Sequence, residues 1–213
     1  DAPIYSLSHT VGLRGFLGGE YNYNVTEAGV TKRFWMPGSW GFMDFDLKAG
    51  IQWDKVPYPL LIHPAANQSY VLQKNTFSLI GNLEFLNDRY ASFMYQWNLN
   101  GKLFNRIPLL RRLKWRELIG VNVLWGQLTD RNNPETSAYN DSDLFYFPGH
   151  FHADGTYECN TSLMKSDLPY VEARFAIHNI FKFLHLEYVR RLTYLDNPGI
   201  HKWGIRCKLE FTF

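Results

Sequence analysis

Two histidines one residue apart, His150 and His152, share a short stretch with Asp154, Glu158 and Cys159. On an extended strand alternate side chains point to the same face, and imidazole and carboxylate are donors that divalent transition metals accept. The competing reading is a polar surface loop that happens to contain two histidines, and the chain offers no second pair at ligand spacing. No Ser/His/Asp order stands out as a triad, no glycine-rich phosphate loop follows a strand, and no carboxylates are placed as a pair. Catalytic, cofactor-binding and metal residues are therefore all assigned as none. Cys159 and Cys207 fit neither a disulfide framework nor a metal cluster and are expected to remain unpaired.

The elements that would position these residues are strands. The final segment, 203–213, separates into Trp203, Ile205, Cys207, Leu209, Phe211, Phe213 on one face and Gly204, Arg206, Lys208, Glu210, Thr212 on the other. Residues 42–54 repeat the theme, with Met43, Phe45, Leu47, Ala49, Ile51 and Trp53 alternating with Asp44, Asp46, Lys48, Gly50, Gln52 and Asp54. The same period marks 4–11, 76–86, 90–103, 115–125, 171–177 and 184–192, and 20–35 joins them with a one-residue change of phase that predicts a bulge near 25–28. That makes about nine strands. Asn87-Asp88-Arg89 is expected to be the tight turn of a hairpin between 76–86 and 90–103. The connection 105–113 is expected to hold a short helical turn, and 127–168 is the longest irregular segment.

Apolar-out, polar-in alternation over about ten residues with aromatics at both ends is what a lipid-facing barrel strand requires. The expected fold class is all-β: an antiparallel transmembrane β-barrel. Composition agrees. No run approaches the roughly 18 apolar residues of a spanning helix, but hydropathy averages are blind to strands that give lipid every second side chain. Aromatic content is 17%, and aromatics collect at bilayer interfaces. Trp53, Trp97, Trp115, Trp125 and Trp203 fall near strand ends and read as interface girdles rather than a carbohydrate-stacking platform. The inner charges Asp44, Asp46, Lys48, Arg116, Glu172, Arg174, His185, Glu187, Arg191, Arg206, Lys208 and Glu210 are of both signs, which favours a cross-strand ionic ladder over a selectivity surface. In such a barrel the three Asn-x-Ser/Thr triplets at 24, 67 and 160 are chance. A net charge of +2 gives no reason to expect nucleic acid. Alternation alone sets no condition on whether the lumen is open or plugged.

Barrels of this kind have short periplasmic turns and long extracellular loops. Counting back from a periplasmic C-terminus puts 195–202 and 127–168 outside, as required, yet puts 55–75 on the periplasmic side. Either a strand is miscounted, or 55–75 folds into the lumen or lines its inner rim. Nine is also an odd number, and an open edge cannot face lipid. The whole of 1–213 is therefore expected to be the C-terminal part of a larger barrel, with the missing strands and any exported leader upstream.

The stretches 55–64 (KVPYPLLIHP), 84–92 (EFLNDRYAS), 105–117 (NRIPLLRRLKWRE) and 203–206 (WGIR) resemble the C-terminal barrel region of the carboxypeptidase-like regulatory domain-containing outer-membrane proteins of Bacteroidetes. The resemblance runs over nearly the whole chain. It implies an exported precursor with an N-terminal β-sandwich module and upstream strands, and no site residues to carry over. Phe213 looks like the C-terminal aromatic that barrel-assembly machinery reads. Leu13-Arg14-Gly15-Phe16 resembles the Arg-Gly-Phe motif of the outer-membrane assembly-factor (surface antigen) superfamily, which reaches into the lumen; a glycine turn is the plainer reading.

The expected function is that of a non-enzymatic outer-membrane β-barrel serving scaffolding, assembly or transport. Its partners would be the lipid bilayer, the assembly machinery, the upstream part of the same barrel, and an outer-membrane protein complex. Two alternatives stand: an outer-membrane hydrolase using His150, His152, Asp154 and Glu158 at the outer rim, and a soluble ligand-binding barrel. The deciding observation is whether Phe45, Ile51, Phe93, Val121 and Leu209 lie beneath another layer.

Overall fold

Alternating side chains make strands wherever one face can be buried, and eight of the expected arms pair as antiparallel neighbours in chain order. A computed structural model describes residues 2–136 and 144–210; Phe211, Phe213 and their expected contact with assembly machinery lie outside the described residues. The main sheet comprises β1 (Ile4–Gly12), β2 (Tyr23–Trp35), β3 (Phe42–Gln52), β4 (Arg89–Asn98), β5 (Arg116–Gln127), β8 (Tyr170–Ile180), β9 (Leu184–Arg191) and β10 (Trp203–Leu209). A separate two-stranded hairpin, β6 (Gly149–Phe151) and β7 (Tyr157–Cys159), lies in the connection between β5 and β8. The protein is all-β and antiparallel.

One expected strand is not a strand. Residues 76–86 form no ladder: an isolated bridge joins Phe77 to Ala66, and the next N–H groups, of Ser78 and Leu79, donate to the Glu172 carboxylate instead. Nor is Asn87-Asp88-Arg89 a hairpin turn: both Asn87 and Asp88 are buried, and Asp88 accepts from Thr129 N at 3.1 Å and Asn132 Nδ2 at 3.0 Å. The whole of 53–88 is thus one connection from β3 to β4. With that strand removed, the two longest connections, 53–88 and 128–169, fall at one end of the sheet together with 13–22 and 192–202, and 36–41, 99–115 and 181–183 fall at the other. The misfit at 55–75 disappears.

The expected bulge in β2 is also absent, since β2 keeps unbroken register with both β1 and β3. Its apolar residues change side because the inner face changes neighbour: Val25 is buried and Tyr23 packs against Val56, Leu61 and Leu86 of the long connection. The irregularity that does occur lies between β8 and β9, at Ile177/Ile180. Between β4 and β5 the expected helical turn is present, Pro108–Leu113 (α1), with Pro108 in the first turn where a missing N–H costs nothing.

A cavity of about 670 Å³ is lined from Ile4 in β1 to Lys208 in β10. Its walls come from both edge strands, so the sheet curls toward closure while β1 and β10 remain its edges. The apolar core sits inside that curl. One cluster joins Phe77, Ile80 and Phe85 of the long connection to Leu124 and Tyr170 of the inner face; the other gathers Val56, Leu61, Leu86 and Phe147.

Candidate functional site: a filled interior and a ligand cluster at the rim

The inner face is polar and buried over the part that residues 53–88 cover, where Asp46, Asn122, Glu172 and Arg191 lie. Glu172 accepts from Ser78 N at 3.0 Å, Leu79 N at 3.1 Å, Asn122 Nδ2 at 2.8 Å and the Tyr170 hydroxyl at 2.9 Å. Four donors thus satisfy a carboxylate that is wholly buried. Arg191, wholly buried, donates to Glu84 at 2.5 and 3.0 Å, to Leu79 O at 3.3 Å and to Thr193 O at 3.0 Å, and its guanidinium lies 4.8 Å from the Tyr170 ring centre. Glu84 also takes Gly81 N at 2.8 Å and Asn197 Nδ2 at 2.8 Å. Arg206 donates to Ser78 O, and Asn75 reaches Asp46 at 2.9 Å. Residues 75–84 therefore touch β3, β5, β8, β9 and β10.

The segment also takes part in the edge of the sheet. Val71 pairs in parallel with Cys207, with Leu72 N to Cys207 O at 2.8 Å and Cys207 N to Tyr70 O at 2.9 Å. On β5, Gly126 provides a seat: a Cβ there would stand 2.2 Å from Asn87 Oδ1.

Of the inner charges, the expected cross-strand ladder is only part of the account. Arg33 and Asp44 form a two-pronged pair at 2.6 and 2.8 Å, with Gln96 joining at 2.9 Å, and Arg174 and Glu187 approach to 3.6 Å. Glu172, Arg191 and Arg206, however, find their partners in the 53–88 segment. Glu84, Asn87, Asp88, Asn122, Asn132 and Tyr170 belong to this interior, a role that the sequence reading gives to none of them. The signal available for the first three was their place inside the EFLNDRYAS stretch. The segment fills the end that carries 128–169, and the cavity lined by Asp44, Gln96, His178, His185 and Lys208 lies toward the end that carries 36–41 and 181–183.

The outer face is the reverse. Ile119, Phe175, Ile205 and Leu209 are 39, 42, 54 and 69% exposed, and Phe45, Ile51, Phe93 and Val121 are only partly covered, with the Phe45 ring 5.1 Å from that of Tyr95. Among the described residues neither a helix layer nor a second sheet lies on it. Tryptophans mark both ends: Trp53, Trp125 and Trp203 at the long-loop end, Trp97 and Trp115 at the other.

At the rim, the β6–β7 hairpin gathers three of the five residues noted from sequence. His150 and Glu158 are directly opposed, with His150 Nε2 at 3.5 Å and His152 Nε2 at 2.6 Å from Glu158 Oε2. Asp154 does not join them. It closes the turn, accepting from Thr156 N at 2.9 Å and Oγ1 at 2.6 Å, and these hydrogen bonds hold its carboxyl below the ordinary carboxylate range. Cys159 falls on the other face of the hairpin, and both cysteines are free. Arg14 and Phe16 do not enter the interior; they sit exposed in a glycine turn with Gly15 at φ 82°.

Residues 1–135 match the family described as "Family of unknown function (DUF5686) C-terminal domain". The chain belongs to this family. The DUF5686 match takes in β1 to β5 and all of 53–88, so the segment that fills the interior and the half of the wall it leaves from fall within it. No curated protein and no solved structure matches the chain.

Proposed function

We propose that this DUF5686 chain is the C-terminal part of a bacterial outer-membrane β-barrel, non-enzymatic, with its long connections outside the cell and its interior plugged by residues 53–88. The observation that carries the reading is the inverted burial. In water, leaving a side chain such as Leu209 or Phe175 exposed forgoes about 1.5–3 kcal/mol each, while burying ion pairs roughly breaks even. In a bilayer the same exposure is stabilising, and the polar face must turn inward. Dimensions agree: the 11 residues of β3 extend roughly 36 Å at ~3.3 Å per residue, and a barrel strand tilted at about 40° would then span about 28 Å, enough for an apolar band of about 25 Å.

The edge strands β1 and β10, the latter met outwardly at Cys207 by residues 70–72, support the expectation of further strands, because hydrocarbon offers no partner to backbone N–H and C=O groups. The sequence resemblance supplies the finer assignment to Bacteroidetes proteins with a carboxypeptidase-like regulatory module upstream. A filled interior suits a scaffold, an assembly component or a gated transporter better than an open pore.

The test is fractionation of the full-length protein after export in a Gram-negative host. It should stay with the outer-membrane pellet through an alkaline carbonate wash and enter solution only with detergent. Recovery as a monodisperse protein in detergent-free buffer would overturn the proposal and support a soluble barrel.

A further inference from the structure

We infer that the β6–β7 hairpin is a divalent transition-metal site, with His150 Nε2, His152 Nε2 and Glu158 Oε2 as protein ligands. The three donor atoms lie within 4.8 Å of one another. A tetrahedral ion with ligands at about 2.0–2.2 Å holds neighbouring donors roughly 3.3 Å apart; the two His–Glu158 separations, 3.5 and 2.6 Å, bracket that value, and the two histidines, both exposed, close on each other from within 4.8 Å by side-chain rotation. The backbone that presents them is fixed. His152 N donates to Thr156 O at 2.8 Å and Gly155 N to His152 O at 2.9 Å, closing the turn, and Asn160 N to Pro148 O at 2.9 Å closes the base. The Tyr157 hydroxyl donates to the carbonyl of buried Phe147, anchoring the hairpin to the core. Two imidazoles and a carboxylate select zinc, copper(II), nickel or cobalt(II) over magnesium and calcium. They leave at least one coordination position for water or an outside ligand. Binding replaces the His152–Glu158 contact.

The site does not depend on the bilayer reading, and its test is separate from fractionation. Tag-free full-length protein in detergent micelles, freed of metal by chelation, is titrated with Zn²⁺ by calorimetry and with Co²⁺ by visible absorption. One ion per chain is expected, with d–d bands of a four- or five-coordinate cobalt site. His150→Ala and His152→Ala should each weaken binding by more than tenfold, since even outer partners of metal ligands cost about 10–100-fold. His152→Cys should keep the site and add a sulfur-to-cobalt charge-transfer band, and His201→Ala, an exposed histidine elsewhere, should change nothing. Absence of saturable binding, equal binding in the His150→Ala/His152→Ala double variant, or an equal loss in His201→Ala would overturn the assignment.

Discussion

Arg191 shows at the scale of one residue why the interior is specific rather than merely filled. Its charge is fully buried and is met by Glu84 across 107 residues of sequence, with Leu79 O and Thr193 O taking further N–H groups. Arg191→Met leaves Glu84 as a buried, unpaired carboxylate, and breaking such a pair from one side costs about 3–5 kcal/mol. Arg191→Met combined with Glu84→Gln removes the orphaned charge and should be less destabilised than the single variant. Urea unfolding of both in the same micelles measures the difference. If the single variant unfolds at the wild-type midpoint, the pair is not holding the segment.

The elements differ in what stabilises them, and two outcomes follow. The 53–88 segment is held by side chains of the wall rather than by a ladder, with Glu172 as the acceptor for Ser78 and Leu79. Glu172→Gln weakens those charge-assisted bonds, each worth about 1.5–3 kcal/mol. Hydrogen exchange at Ser78 and Leu79 should accelerate while the β5 and β8 amides stay protected; uniform acceleration would mean that the segment and wall open as one unit. On the strands, Phe93→Arg places a cation on the outer face and is expected to cost about 2–4 kcal/mol in a bilayer, whereas Lys48→Ala, an exposed position on the inner face, should stay within about 0.5 kcal/mol. Folding titrations into liposomes compare the two, and an equal cost at both positions would remove the distinction between the faces.

For the whole molecule, the two cysteines are natural reporters of orientation. Cys207 lies on the outer face in the middle of β10, and Cys159 in the rim hairpin. In the reconstituted protein a water-soluble maleimide should modify Cys159 and leave Cys207 untouched, and a Cys159→Ser chain should take label only after denaturation. Rapid labelling of Cys207 in the folded, bilayer-inserted protein would place that face in water. Closure of the proposed larger barrel carries a further consequence. Residues 70–72 already occupy the outward N–H and C=O of Cys207, so a strand added to β10 must begin beyond that point or displace them.

The chain by itself determined which residues share a face, where seven of the eight sheet strands run without interruption, and that the sheet is antiparallel, though not that β3 pairs with β4. Each of these follows from a period of two and from short connections, which are local properties. Three things needed the tertiary structure. Residues 76–86 carry a strand's alternation because a segment lying between apolar clusters and a polar wall satisfies both in turn, which no local rule separates from a ladder. The change of phase in β2 records a new neighbour, Val56 and Leu61, rather than an extra residue. Glu158 came into reach of His150 and His152 through the hairpin's register, which sequence spacing alone does not set. Long-range placement decides which partner a buried charge or a free ligand meets, and that is why the faces were legible beforehand and their partners were not.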